Sequence, residues 1–201
     1  MKNTKTIDLG ELSLPRVVIA IGCQDTVKAK TLNTIVGTML HTKKALITGF
    51  FMRQGGDIVS ARGAGVEFAI EKKATHIFFV DSDQVFPEDT LDRLLAHNKE
   101  ITTVEYSRRK LPPESVTTPL TERSATELYK AQNIGGGCLL IKLSVFDKIA
   151  QPWFNFGRKG TKVVIGEDTW FANTARDAGI DSWIDPTIKC GHVGEFVYEL
   201  T

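Results

Sequence analysis

An excess of either charge is missing from this chain. Lys and Arg number 25 against 24 Asp and Glu, for a formal net charge of +1. That balance gives no global pull toward nucleic acid or an anionic membrane. Cysteine is scarce: Cys23, Cys138 and Cys190 are the only three, they lie far apart, and no Cys-x-x-Cys pair exists. Neither a zinc knuckle nor a disulfide framework is therefore indicated, and reduced thiols in a cytoplasmic protein are expected. No apolar run approaches the ~20 residues of a membrane-spanning helix. Met1-Lys2-Asn3-Thr4-Lys5 has no apolar core behind it, so no signal peptide is expected. Internal repeats and low-complexity tracts are absent as well.

What remains is the composition of an ordinary soluble protein. The chain has 201 residues, 42% hydrophobic and 24% charged. That length suits one domain with a sizeable core. Residues 1–15 read as a polar lead-in and 16–201 as the domain. Arg16 to Ile21 reads as a buried strand, followed by a turn at Gly22-Cys23-Gln24-Asp25. A helix is expected from Asp25, at or near its N-cap, to about Leu40, with Val27, Leu32, Ile35, Val36 and Met39 inward. Ala45 to Phe51 reads as a strand that Gln54-Gly55-Gly56-Asp57 ends. Ser60 is the expected cap of a helix over Ala61 to Lys73, with Val66, Ala69 and Ile70 facing the core.

Thr75 to Val80 is the strongest strand. Ile77, Phe78, Phe79 and Val80 are apolar in succession, as in a strand buried on both faces. It runs directly into Asp81-Ser82-Asp83. Two carboxylates so close repel one another unless neutralised. Mg²⁺ or Mn²⁺ neutralises them with oxygen ligation and leaves positions open for phosphate. A solvated turn with an Asp N-cap is the plain alternative. Phe86-Pro87-Glu88-Asp89 predicts a helix start, with Leu91, Leu94 and Leu95 as its core stripe. Ile101 to Tyr106 reads as a strand. Ser107 to Gln132 reads as a long, mobile surface loop carrying Arg108, Arg109 and Lys110.

Ile134 to Ile141 is a glycine-rich turn entering a strand, where Gly135, Gly136 and Gly137 leave room for a bulky ligand. Ser144 is the expected cap of a short helix through Ile149. Trp153 and Phe154 form an aromatic corner, with core packing favoured over acceptor stacking. Gly166-Glu167-Asp168 opens a helix with Phe171, Thr174, Ala175 and Ala178 on one side and Gly179 at its end. At that helix start the dipole favours ionised carboxylates, and an ionised carboxylate accepts a proton from an incoming hydroxyl. Trp183 to Pro186 and Thr187 to Cys190 read as a late short strand and its exit, before Gly191-His192. His41, His76 and His97 are expected to be structural or exposed, Trp170 and Phe171 core, and Asp57 and Asp185 turn residues. Alternating strands and helices predict an α/β sheet.

The ordered set Asp81-Ser82-Asp83, Phe86-Pro87-Glu88-Asp89, Gly135 to Gly137, Glu167-Asp168, Gly179-Ile180 and Gly191-His192 resembles the GT-A glycosyltransferases of the family 2 type. The likeness runs from about Arg16 to the C-terminus and is closest to the compact, soluble versions met in phage and bacterial genomes. It implies a single-domain mixed α/β sheet flanked by helices and a nucleoside-diphosphate sugar as donor, with a UDP-sugar favoured. It also implies Mn²⁺ or Mg²⁺ held by Asp81, Asp83 and His192. By the same resemblance Ile21, Gly22 and Cys23 border base and ribose, and Ser82, Gly136 and Gly137 adjoin the donor. Arg62 in Ser60-Ala61-Arg62 contacts base or phosphate, Asp168 is the base of an inverting transfer, and Glu167 assists it.

The acceptor stays open: a glycan, a protein, a lipid-linked sugar or a modified DNA base. So do retaining transfer, an inactive nucleotide-sugar-binding module and a nucleotidyltransferase. The last would normally carry a basic glycine-rich loop after the first strand, which Ile21-Gly22-Cys23-Gln24-Asp25 is not.

Overall fold

A computed structural model describes residues 14–109, 112 and 114–194. The greater part of the expected lead-in, Lys110 and the last seven residues lie outside these described residues. β1 (Arg16–Cys23), β2 (Leu46–Gln54) and β3 (His76–Asp81) form a parallel group, with β1 between the other two. β4 (Gln84–Val85) follows β3 directly, and β5 (Ile101–Val104), β6 (Thr118–Pro119), β7 (Tyr129–Asn133) and β8 (Cys138–Lys142) come next in the chain. β9 (Gly157–Lys159) and β10 (Lys162–Ile165) make a hairpin, and β11 (Ser182–Asp185) and β12 (Gly191–His192) close the described chain. One mixed sheet of eight strands has the order β2-β1-β3-β8-β5-β11-β7-β6. β12 pairs antiparallel with β4 outside that sheet.

Strand periodicity divides the core into two layers. Val17, Ile19 and Ile21 of β1 point to one face, where α1 (Ala29–His41) contributes Ile35 and α3 (Thr90–Ala96) contributes Leu91 and Leu94. Val18 and Ala20 point to the other, where α2 (Ile58–Glu71) contributes Val66 and Ala69 and α4 (Glu167–Asp177) contributes Phe171, Ala172 and Ala175. The result is a helix–sheet–helix sandwich, as the sequence predicts.

Several local expectations are corrected. α1 begins at Ala29 rather than Asp25, and Lys28 stands at its N-cap position. The preceding residues are instead tied across the sheet edge: the Lys28 amide donates to the Ser82 carbonyl at 2.8 Å, and Gln54 Nε2 donates to the Asp25 carbonyl at 2.8 Å. Of the expected inward residues of α1, Ile35 is buried, whereas Leu32, Val36 and Met39 are exposed. α2 is capped by Asp57, not Ser60. The Asp57 carboxylate accepts from the Ser60 amide at 2.9 Å and from the Ser60 hydroxyl at 2.7 Å. Ile70, on the outer side of α2, is half exposed. α3 starts at Thr90 rather than at Pro87, after a turn in which the Thr90 amide donates to the Pro87 carbonyl at 3.1 Å.

The stretch from 107 to 132 is not all loop: β6 and all of β7 but Asn133 lie in it and complete the sheet. Ser144 lies inside a single 3-10 turn at Leu143–Val145 and makes no cap. Ala178 is exposed at the end of α4, where Gly179 adopts φ +80° and ends the helix. Asp185 is a buried residue of β11, not a turn residue, and His97 Nε2 sits 2.9 Å from its Oδ2. Among the described residues no helix is long and apolar enough to cross a membrane.

Candidate active site

The parallel strands β1, β2 and β3 end at one edge of the sheet, the position at which open α/β sheets bind ligands. A cleft of about 450 Å³ lies there. Gly22, Cys23 and Gln24 from β1 and its exit line it, as do Gly55 and Gly56 after β2. Asp57, Ile58, Ala61 and Arg62 enter from α2, Asp81, Ser82 and Asp83 from β3 and its exit, and Glu167 from α4. Arg109 and Phe156 complete the wall. Gly55 and Gly56 hold φ of +74° and +78°, a backbone shape side chains disfavour, and so turn the chain sharply from β2 into α2.

Asp83 is the most enclosed carboxylate of the cleft, with 7% of its side chain exposed. Arg109 pairs with its Oδ2. Its Oδ1 is buried without a hydrogen-bond partner among the described residues. Such an atom carries a desolvation cost that only a donor or a cation offsets. His192 is brought beside Asp83 by backbone: the Val193 amide donates to the Asp83 carbonyl at 2.8 Å, and His192 stands opposite Gln84 in the β4–β12 pair. His192 Nδ1 is 2.7 Å from the Ser107 carbonyl, which has no proton to give, so Nδ1 carries the proton and Nε2 keeps its lone pair. The ring stands edge-on to Tyr106 with centroids 5.0 Å apart. Burial lowers the His192 pKa and Arg109 lowers it further, against the opposing Ser107 contact and Asp81.

The chemistry of this donor set, two carboxylates and a neutral imidazole, fits Mn²⁺ or Mg²⁺. The set is not gathered into a closed cluster: among the described residues no three His, Cys, Asp or Glu side chains converge as a metal site. Both carboxylates carry an ion pair. Arg109 engages Asp83, and Arg62 Nη2 engages Asp81 Oδ1 at 3.3 Å.

Arg62 sits deeper than the sequence reading places it. Its side chain is 4% exposed, Nε donates to Glu167 Oε1 at 3.3 Å, and Nη1 donates to the Gly136 carbonyl at 3.1 Å. Burial opposes its charge, but Asp81, Glu167 and Asp168 outweigh burial and raise its pKa. Asp168, next to Glu167, has its pKa raised by burial and by Glu167, against Arg62 and the Thr169 amide, which donates to Oδ1 at 2.7 Å. Two adjacent carboxylates thus have divergent environments, one ion-paired and one held toward its protonated form.

The three glycines serve the protein's own side chains. A Cβ on Gly135 would lie 2.3 Å from the Tyr106 hydroxyl, one on Gly136 2.2 Å from Arg62 Nη2, and one on Gly137 2.8 Å from Asp81 Oδ2. The Gly137 carbonyl accepts from the Asp81 amide at 3.0 Å and its amide donates to the Tyr106 hydroxyl at 2.8 Å. Ile21 is packed in the core, and Gly22 and Cys23 alone of that trio line the cleft. Glu167 lines it and Asp168 does not. Tyr106 and Phe156 were missed by the sequence reading. Tyr106 reaches the site through its hydroxyl on the Gly137 amide, a contact that no spacing announces, and Phe156 is separated from Asp83 by 73 positions. Trp170 and Phe171 were both expected in the core; Phe171 is there, and Trp170 is half-buried with Nε1 lacking a partner among the described residues.

No sequence-family model matches the chain, and no curated protein matches it by sequence. Solved structures do match in three dimensions. A197 from STIV superimposes with a TM-score of 0.65 at 15% identity, over 90% of this chain and 86% of that one. GalNAc-T7, solved with UDP, GalNAc and Mn²⁺, superimposes with a TM-score of 0.64 at 12% identity. That match covers 90% of this chain but 44% of GalNAc-T7, so this chain spans less than half of that protein's length. With its mixed sheet, its parallel β1–β3 group and these neighbours, the chain has a GT-A-like α/β fold.

Proposed function

We propose that this protein is a metal-dependent glycosyltransferase that moves a sugar from a nucleoside-diphosphate sugar, with a UDP-sugar favoured, to an acceptor hydroxyl with inversion. The observation that carries the reading is the lining of one cleft by Asp81, Asp83 and Glu167 at the carboxyl edge of β1–β3, with a buried, partnerless oxygen on Asp83. The fold neighbour GalNAc-T7, solved with UDP, GalNAc and Mn²⁺, supports the choice of donor and cation.

Asp83, Asp81 and His192 Nε2 are the groups that would hold Mn²⁺ or Mg²⁺. A bound cation would neutralise charge building on the leaving diphosphate. Gly22 and Cys23 border the nucleoside, and Ser82 lies between the two acids beside the diphosphate. Arg109 supplies a second positive group to the phosphates. Asp168 takes the acceptor proton on Oδ2, since Oδ1 is held by the Thr169 amide. Its raised pKa improves the match between base and hydroxyl. Glu167, ion-paired to Arg62, orients the acceptor side. The acceptor is a glycan, a protein, a lipid-linked sugar or a modified DNA base.

The test is release of nucleoside diphosphate from a set of nucleotide sugars in the presence of Mn²⁺, with and without candidate acceptors. The wild-type protein should turn over at least one donor, and Asp83→Ala none. Turnover by Asp83→Ala equal to wild type would remove the metal-site reading.

A further inference from the structure

We infer that Arg62 is a positioning residue that fixes the donor half of the site to the acceptor half, bridging Asp81 on β3 and Glu167 at the start of α4. The inference rests on the donor and acceptor roles proposed above for those two carboxylates.

The geometry is specific to a guanidinium. Its three nitrogens reach three separate elements: Nη2 to Asp81 Oδ1 at 3.3 Å, Nε to Glu167 Oε1 at 3.3 Å and Nη1 to the Gly136 carbonyl at 3.1 Å. Glu167 is 105 positions from Arg62 in sequence and Asp81 is 19, so no local structure holds them together. The planar fork is itself held: its central carbon lies 5.2 Å from the Phe79 ring centroid and 5.9 Å from that of Phe154. Gly136 leaves the space that its Nη2 fills. A lysine ammonium is a point charge and cannot address three acceptors in fixed directions. All three nitrogens being engaged inward, Arg62 acts on the ligand through Asp81 and Glu167, not by touching base or phosphate. Without it two like charges would face each other across the cleft floor and drive β3 and α4 apart.

The experiment compares wild type, Arg62→Gln and Arg62→Lys by amide hydrogen exchange without ligand and by titration with UDP and Mn²⁺. Exchange should quicken together in the segments 81–84 and 166–169 of both variants, while segments from β5 and α3 keep wild-type protection. UDP affinity in Mn²⁺ should fall about 10- to 100-fold in Arg62→Gln, the range typical when a supporting partner of a metal ligand is removed. Glu167→Gln should weaken UDP binding in the wild-type background and add nothing in the Arg62→Gln background. Unchanged exchange at either segment overturns the bridge. So does equal loss of protection across the chain, which marks a purely structural role. If Arg62→Gln does not fold, Arg62→Lys carries the same two readouts. Absence of UDP binding in wild type defeats the donor-site reading, whereas the exchange result on ligand-free protein decides the bridge by itself.

Discussion

Arg109 lies on Asp83. The guanidinium pairs with Oδ2 of the most enclosed carboxylate in the cleft, while Oδ1 of the same group is buried with no partner among the described residues. Arg109 is mostly exposed and stands on a connecting segment, so the charge it places on Asp83 is one that a metal ion can displace.

In the proposed site Arg109 would compete with Mn²⁺ for Asp83 and stand alongside the donor's phosphates. Arg109→Ala should therefore tighten Mn²⁺ binding in the absence of nucleotide and weaken binding of UDP in the presence of Mn²⁺, each by about tenfold, the scale of one charge-assisted hydrogen bond. Isothermal titration of wild type and Arg109→Ala checks it. The same sign of change in both titrations would contradict the displacement.

Asp168 gives a prediction in which stability and activity part. Its pKa is raised by burial and by Glu167, so the ionised form is disfavoured in the folded state relative to the unfolded one. A carboxylate with a raised folded pKa destabilises the protein above that pKa, and the cost fades as pH falls through it. Asp168→Asn should keep donor binding, leave the melting temperature at pH 7 equal or higher, and cut transfer about 10²- to 10⁴-fold. A lower melting temperature with normal transfer would assign Asp168 to structure alone.

His76 predicts an acid limit on stability away from the site. Burial, helped by Lys142, lowers its pKa from 6.5 to about 4. Between those values the unfolded chain binds the extra proton, so stability is full above 6.5 and falls as pH drops toward 4. Denaturant midpoints from pH 7 to pH 4 should fall less steeply for His76→Gln than for wild type. Identical slopes would show that His76 does not titrate in this window.

Gly136 tests the packing behind Arg62. An added Cβ meets Nη2 at 2.2 Å, which forces the guanidinium or the glycine-rich turn to move. Gly136→Ala should cost about 1–3 kcal/mol in denaturant unfolding, as overpacking does, and should weaken UDP binding with it. A change in neither would mean that the turn yields freely.

The sequence reading succeeds where one physical signal dominates. Val80 to Asp83 passes from a doubly buried strand to paired acids, and only a strand end at the sheet edge accommodates both. Gly166-Glu167-Asp168 reads correctly for the same reason, a helix start with its acids in the first turn. It fails where tertiary contacts override local preference. Asp25 has the chemistry of a cap, yet its carbonyl is held by Gln54 and the helix begins at Ala29. Tyr129 to Gln132 look like loop beside the polar stretch before them, but pairing with β11 makes them strand. Arg62 entered the sequence reading only through the family resemblance. That it turns inward, and that Gly135 to Gly137 make room for Tyr106, Arg62 and Asp81, depends on residues far apart in the chain. No periodicity encodes such contacts.

The most direct test of the account is a thermal-shift panel of UDP, GDP, CDP and dTDP, each with and without Mn²⁺, on wild type and Asp83→Ala. A ligand that binds only the folded state raises its apparent stability. The account predicts a Mn²⁺-dependent upward shift with one nucleotide, UDP, that Asp83→Ala abolishes. No shift with any nucleotide, or a shift that persists unchanged in Asp83→Ala, would contradict it.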